Sequence, residues 1–270
     1  MEENTVANKS TNPALRSFTT PAASAATLQD MYNQPSFTPP TSPAAQRYLT
    51  VDDVVAKTAT VVIVALLSAL ATIYLQKSAI VPGIYSLVIP AAIVGFVLAL
   101  IVIFKRSSNP ALILAYAVAE GVFLGGITGI FEGIRGFEGI GFQALAATMG
   151  VFIGMLVVYK TGAIRVTPKF TKMIIGAMIG IVSLLIVNLV ARLLGFDMGV
   201  RDGGTLSIII SLVIIVVAAL SFLLDFDAIE GAIKQGAPAT MAWYFAFSLM
   251  VTLVWLYLEI LRLLSYLRSN

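Results

Sequence analysis

Residues 206–224 form the stretch LSIIISLVIIVVAALSFLL, which contains no charged residue and ends directly before Asp225. An uncharged apolar run of about 18 or more residues is typical of a helix that crosses a lipid bilayer. The whole chain of 270 residues has the same character, with 59% hydrophobic residues, 11% charged residues and a mean hydropathy of +0.94. Soluble domains carry about 25% charged residues, so this composition predicts an integral membrane protein.

Six further apolar runs have lengths near the span of a bilayer. Together with the first, they lie at residues 59–75, 83–104, 111–131, 141–159, 173–194, 206–224 and 241–266. Lipid cannot satisfy open backbone N–H and C=O groups, so such runs must be helical. We therefore predict an all-α membrane domain over residues 49–270, with about seven transmembrane helices.

The N-terminal residues 1–48 differ sharply from the rest of the chain. They are rich in Pro, Ser, Thr and Ala and show no apolar period, which predicts a disordered tail. Directly after this tail, Thr50 and Asp53 have the spacing of a capping box that begins a helix.

The distribution of Lys and Arg predicts the orientation. Near the spans, nine of these residues fall on the side of the N-terminus and six on the other side. The positive-inside rule then predicts a cytoplasmic N-terminus in the plasma membrane, and an odd number of spans places the C-terminus outside.

Two residue types are absent from the sequence, Cys and His. Their absence removes thiol chemistry, the commonest metal ligand and the usual general base. A serine protease of the membrane would lack a histidine to activate its nucleophile. We predict no enzymatic activity, no resident cofactor and no nucleic-acid binding; the type of any metal site stays open.

Glycines recur every four residues in the third run, at Gly121, Gly125 and Gly129. This spacing lets another helix backbone approach closely and predicts tight helix packing. The same spacing occurs in the fourth and fifth runs, at residues 150 and 154 and at residues 176 and 180.

Carboxyl groups inside apolar runs are the strongest candidates for function. Glu120 lies in the third run, Asp225 ends the sixth and Glu259 lies deep in the seventh. An ionised carboxylate at mid-membrane costs at least about 2.5–3.5 kcal/mol, so each needs a proton, a partner or water. For Glu120, a structural hydrogen bond to a neighbouring helix and a functional role are both open, whereas Asp227 is expected at a solvated helix end.

Two segments around these acids resemble the Bax inhibitor-1/YccA family. LDFDAI at residues 224–229 is similar to the end of that family's sixth helix, and LYLEILRLL at residues 256–264 is similar to its seventh-helix signature. AEG at residues 119–121 also fits, and the entry VDDVVAKT at residues 51–58 resembles the actinobacterial branch.

The resemblance implies a compact helical bundle with the last helix at its centre. It also implies a pH sensor for calcium leak, formed by acids of the sixth and seventh helices that share a hydrogen bond. These acids match Asp225 and Glu259, with Arg262 as a nearby cation and Glu120 and Asp227 as supporting residues.

The spacing of the two acids leaves their contact open. If the last helical hairpin turned symmetrically at residues 236–238, Asp225 would face Ser248 and miss Glu259 by roughly 15 Å. The acids meet only if several of residues 231–245 are non-helical or lie along the membrane surface.

Two functions follow as expectations. The first is a pH-sensitive leak for a cation, with Ca²⁺ as the expected transported ion, gated by the carboxylate pair. The alternative is a regulator that does not transport and binds another membrane protein, such as a membrane-bound protease.

Overall fold

The computed structural model describes Gln29 and residues 47–78, 80, 83–196 and 198–269. The chain divides into residues 1–46 and the helical unit from Arg47 onward. The predicted tail, 1–48, therefore lies outside the described residues apart from Gln29, Arg47 and Tyr48.

Within the described residues, seven helices are long and apolar enough to cross a membrane, which confirms the predicted fold class. They are α1 Val51–Lys77, α2 Val88–Lys105, α3 Pro110–Glu132, α4 Ile140–Thr161, α5 Pro168–Leu193, α6 Thr205–Lys234 and α7 Ala242–Ser269. Short 3₁₀ turns precede α2 at Ile84–Leu87 and α7 at Ala239–Met241.

Helix α1 begins with the predicted capping box. The Asp53 backbone N–H donates to the Thr50 hydroxyl at 3.2 Å, and the Thr50 N–H donates to the Asp53 carboxylate at 3.2 Å. These reciprocal bonds satisfy two of the backbone donors that a helix start leaves open.

The last helix, α7, forms the centre of the bundle. It packs against α1, α3, α4 and α6. Of its apolar stretch, 67% is buried, against 11–44% for the other six helices. By contrast, α5 lies at the edge, where it packs mainly on α6.

The glycine pattern of α3 permits its contact with α1. A Cβ atom on Gly121 would overlap the carbonyl oxygen of Ala65, and one on Gly125 would lie 2.7 Å from the Cα of Ala69. Gly129 is buried on the same helix. The prediction of close packing is thus confirmed at Gly121 and Gly125.

The same prediction is wrong for α4 and α5. A Cβ atom added to Gly150 or Gly154 on α4, or to Gly176 or Gly180 on α5, would meet no described atom of another helix within 4 Å. These four glycines lie on the outer surface, because the apolar core selects other faces of both helices.

Helix α6 continues ten residues past the predicted apolar run, so that Asp225 lies inside the helix. Phe226 and Ile229 extend its buried face, and the ring of Phe226 packs on Phe152 at 5.8 Å between centroids. An ion pair of Glu230 with Lys234 supports the last turn. Gly236, with φ of 68°, then turns the chain towards α7.

Residues 47–49 bind the loop between α6 and α7. The Leu49 N–H donates to the Ala237 carbonyl at 2.8 Å, and the Ala239 N–H donates to the Arg47 carbonyl at 2.8 Å. The Leu49 side chain is buried in the main core. The entry to α1 therefore holds the last helical hairpin at its loop.

Candidate functional site

Asp225 lies between α6 and α7 and is held by two hydroxyl groups. Ser248 donates to its Oδ1 at 2.9 Å, and Thr252 donates to its Oδ2 at 2.8 Å. Ser248 and Thr252 are one helical turn apart on α7, so their hydroxyls reach both oxygens of the same carboxyl group. Among the ion pairs of the described residues, none involves Asp225.

The predicted pairing of Asp225 with Glu259 is absent from this conformation. Glu259 lies two helical turns beyond Thr252 on α7, about 10 Å along the helix axis. The cause is the compact loop: α6 is helical to Lys234 and α7 begins at Ala242, so the hairpin turns almost symmetrically. Asp225 consequently faces Ser248, and the carboxylate pair is a correction to the expected site.

Glu259 is buried, with 3% of its surface exposed, and has two arginine partners. Its Oε1 accepts a hydrogen bond from Arg262 at 2.5 Å and another from Arg201 at 3.2 Å. Its Oε2 has no hydrogen-bond partner within the described part of the chain. Arg262, the cation expected near this acid, contacts Glu259 from one turn later on α7.

Arg201 reaches Glu259 from the loop between α5 and α6. Burial lowers the pKa of its guanidinium, and the neighbouring positive charge of Arg262 lowers it further. Two guanidinium groups thus share one carboxylate oxygen, which leaves excess positive charge at this level of the bundle.

The next residue, Asp202, anchors that loop to the start of α6. Its Oδ1 accepts from the Ser207 hydroxyl at 2.8 Å and from the Gly204 N–H at 3.0 Å. These two donors lower the pKa of Asp202, because they stabilise the ionised carboxylate. The loop that carries Arg201 is therefore tied to the membrane helix.

Glu120 is buried on α3, where it faces α2. Its Oε2 has no hydrogen-bond partner among the described residues, and the donor that reaches its carboxyl group is the Tyr116 hydroxyl, one turn earlier on the same helix. The side chain lies against Gly95 of α2, whose missing Cβ makes room for it.

Asp227 does not join either carboxyl site. Its side chain is exposed on α6, while Asp225 on the same helix faces α7. Glu230, one turn later, is also exposed and pairs with Lys234 and the Tyr159 hydroxyl. This outer face of α6 agrees with the expectation of a solvated helix end.

Three partners of the acids are absent from the predicted set of site residues: Arg201, Ser248 and Thr252. The helical arithmetic of a symmetric hairpin points to Ser248, and Thr252 then follows at the next turn. No sequence pattern points to Arg201 as a partner of Glu259. Arg201 lies in a loop, so helical spacing does not predict which residues it contacts.

The donor atoms around Asp225 are carboxylate and hydroxyl oxygens, the ligand type that hard cations prefer. The described residues contain no group of three or more acidic side chains close enough to hold a metal ion. A cation that passed along α7 would meet the carboxyl groups one at a time.

Comparison with known proteins identifies the family of the chain. A search of curated proteins finds no significant match. A family model described as Bax inhibitor 1 like matches residues 10–269, which include all seven helices. The chain belongs to the Bax inhibitor 1 like family, and its described residues include seven helices long and apolar enough to cross a membrane.

Proposed function

We propose that this protein is a pH-sensitive cation leak of the plasma membrane, with Ca²⁺ as its ion and its N-terminus in the cytoplasm. The observation that carries the proposal is Asp225, a carboxyl group between two membrane helices whose described partners are the hydroxyls of Ser248 and Thr252.

Neutralisation of Asp225 explains why a leak would depend on pH. An ionised carboxylate within the membrane costs at least about 2.5–3.5 kcal/mol unless a proton or a cation neutralises it. A proton and a Ca²⁺ ion therefore compete for the same oxygens. Raising the pH removes the proton and favours entry of the cation, so the leak increases with pH.

Glu259 has a different role in this proposal. Its arginine partners, Arg201 and Arg262, place positive charge on the proposed cation path along α7, two helical turns beyond Thr252. In this proposal, such charge repels a passing cation and closes the path at this level. Opening requires the two guanidinium groups to move away from the path.

The test is calcium flux into liposomes that contain a calcium dye, measured over a pH series. We expect Asp225→Asn to abolish the rise of the leak with pH, because an amide cannot exchange a proton for a cation. Asp227→Asn is the matched control, since Asp227 is exposed two positions later on the same helix. A pH profile that Asp225→Asn leaves unchanged would overturn the proposal.

A second candidate is a regulator that binds another membrane protein, such as a membrane-bound protease. It is favoured by the uncovered glycine pairs of α4 and α5, which leave two helix faces open to close approach. Deletion of residues 1–46 separates the two functions: a regulator that uses its tail would lose its effect on the partner, whereas a leak would persist.

A further inference from the structure

A crevice of about 310 Å³ lies between α2, α3 and α7. Aromatic side chains form much of its wall, and one carboxyl group, Glu120, lies among them. The aromatic residues are Phe96, Tyr116, Phe123 and Trp255. The crevice opens sideways, because Phe96 is 63% exposed and Val251 is 36% exposed on the surface that faces lipid.

Glu120 is the chemically unusual member of this wall. It is nine-tenths buried, with 9% of its surface exposed, and its Oε2 has no hydrogen-bond partner among the described residues. Within the crevice lining that the structure describes, no Lys or Arg balances it, and Tyr116 is its one titratable neighbour. A buried carboxyl group in this setting is stabilised by a further hydrogen-bond donor or by a positive charge.

We propose that this crevice binds a lipophilic organic cation, such as a tertiary or quaternary amine with an apolar body. Glu120 supplies the opposite charge, and the aromatic faces attract the cation through their quadrupoles. The lateral opening lets such a molecule arrive through the lipid, where its apolar body remains. The site is independent of Asp225, which lies between α6 and α7.

Other ligands fit the crevice less well. A metal ion would find one carboxyl group and one phenol, too few oxygen ligands for Ca²⁺ or Mg²⁺. A lipid tail would bring neither a positive charge nor a donor for the Oε2 atom of Glu120, and an anion would be repelled. An organic cation satisfies both the carboxyl group and the aromatic wall.

Equilibrium dialysis of the purified full chain in detergent, with radiolabelled tetraphenylphosphonium as the probe, tests the proposal. We expect saturable binding that weakens at least tenfold in Glu120→Gln. Glu132→Gln is the matched control, since Glu132 ends the same helix and pairs with Lys77 outside the crevice. Absence of saturable binding, or equal affinity in Glu120→Gln and the unaltered chain, would refute the site.

A second pair of variants covers the case in which Glu120→Gln does not fold. Phe96→Leu removes one exposed aromatic face from the crevice wall and should weaken binding severalfold. Phe104→Leu alters an exposed ring on the same helix that does not line the crevice, and it should bind as the unaltered chain does. Equal affinities in these two variants would contradict the aromatic contribution and the proposal with it.

Discussion

Asp225 and Glu259 have partners of opposite kinds. Asp225 accepts hydrogen bonds from two neutral hydroxyls, which leave room for a proton or a cation to neutralise it. Glu259 already has two guanidinium groups on one oxygen. Asp225 is therefore suited to exchanging a proton for a cation. Glu259 is suited to a fixed electrostatic contact between a loop and the central helix.

The Glu259 contact predicts a specific pattern of stability. Arg201→Gln should destabilise the protein by about 1–3 kcal/mol, since Glu259 keeps Arg262 as a partner. Glu259→Gln should cost more than Arg201→Gln, up to about 3 kcal/mol, because it leaves two partly buried positive charges without their counter-charge. The double variant should cost less than the sum of the single ones, since both remove the same interaction.

Unfolding of the detergent-solubilised variants measures these differences, with Arg135→Gln as a control at an exposed loop position. Additive effects of the two substitutions would argue against direct coupling of Arg201 with Glu259. The proposed leak function further predicts that Arg201→Gln raises calcium flux into liposomes, because the variant removes one positive charge beside Glu259.

At the scale of elements, close helix approach depends on where the small residues face. Gly121 and Gly125 of α3 face α1, whereas Gly150 and Gly154 of α4 and Gly176 and Gly180 of α5 face outward. The same sequence spacing thus has different consequences on different helices. Helix ends are similarly local: a capping box begins α1, and Gly236 turns the chain after α6.

A matched pair of substitutions tests this difference between glycines. Gly125→Ala should destabilise the protein by about 1–3 kcal/mol, because the new methyl group overlaps the backbone of Ala69. Gly176→Ala should be neutral, or stabilising by up to about 1 kcal/mol, because it adds a methyl group in open space within a helix. Equal effects on thermal unfolding would show that α3 and α1 are not in the close contact described.

The contribution of the loop between α5 and α6 to stability should depend on pH, because Asp202 titrates. Its folded pKa is lowered, so its contribution to stability is present above the unfolded value, about 3.9, and is lost as the pH falls through the folded value. Asp202→Asn should therefore unfold at a lower temperature than the unaltered chain at pH 7. The difference should shrink as the pH falls below the unfolded value, and a difference of constant size over the whole acid range would exclude this anchor.

At the scale of the whole molecule, the other six membrane-length helices of the described residues surround or flank α7, which carries polar groups at successive levels. Hydroxyls of Ser248 and Thr252 lie at one level, and Glu259 with Arg262 lies two turns further on. The entry segment, residues 47–49, secures the loop that joins this helix to α6. The short stretch before the first helix therefore contacts the last helical hairpin at its loop.

Two deletions test the role of that stretch. Removal of residues 1–46 should leave insertion and thermal stability unchanged, because the helical unit begins at Arg47. Removal of residues 1–49 should destabilise the bundle by about 1.5–3 kcal/mol or more, since it takes away the buried Leu49 and two backbone hydrogen bonds. Equal stability of the two truncated chains would show that the segment does not support the hairpin.

Local sequence determined the seven helices, the α1 capping box and the candidate acids. Span length follows from apolar runs, a cap follows from residues three positions apart, and a charge inside an apolar run stands out by its cost. None of these features needs knowledge of the other helices. For that reason they were predictable, and the family resemblance at residues 224–229 and 256–264 agrees with the match over residues 10–269.

Only the tertiary structure decided which groups meet. The extension of α6 through Lys234 and the compact loop set the register of α7, so that Asp225 contacts Ser248 and Thr252 rather than Glu259. The partnership of Arg201 with Glu259 joins a loop to a helix far along the chain, and the outward glycines of α4 and α5 follow from helix rotation. Contacts of this kind depend on rotation and register between helices, which packing of the whole bundle selects and no local pattern encodes.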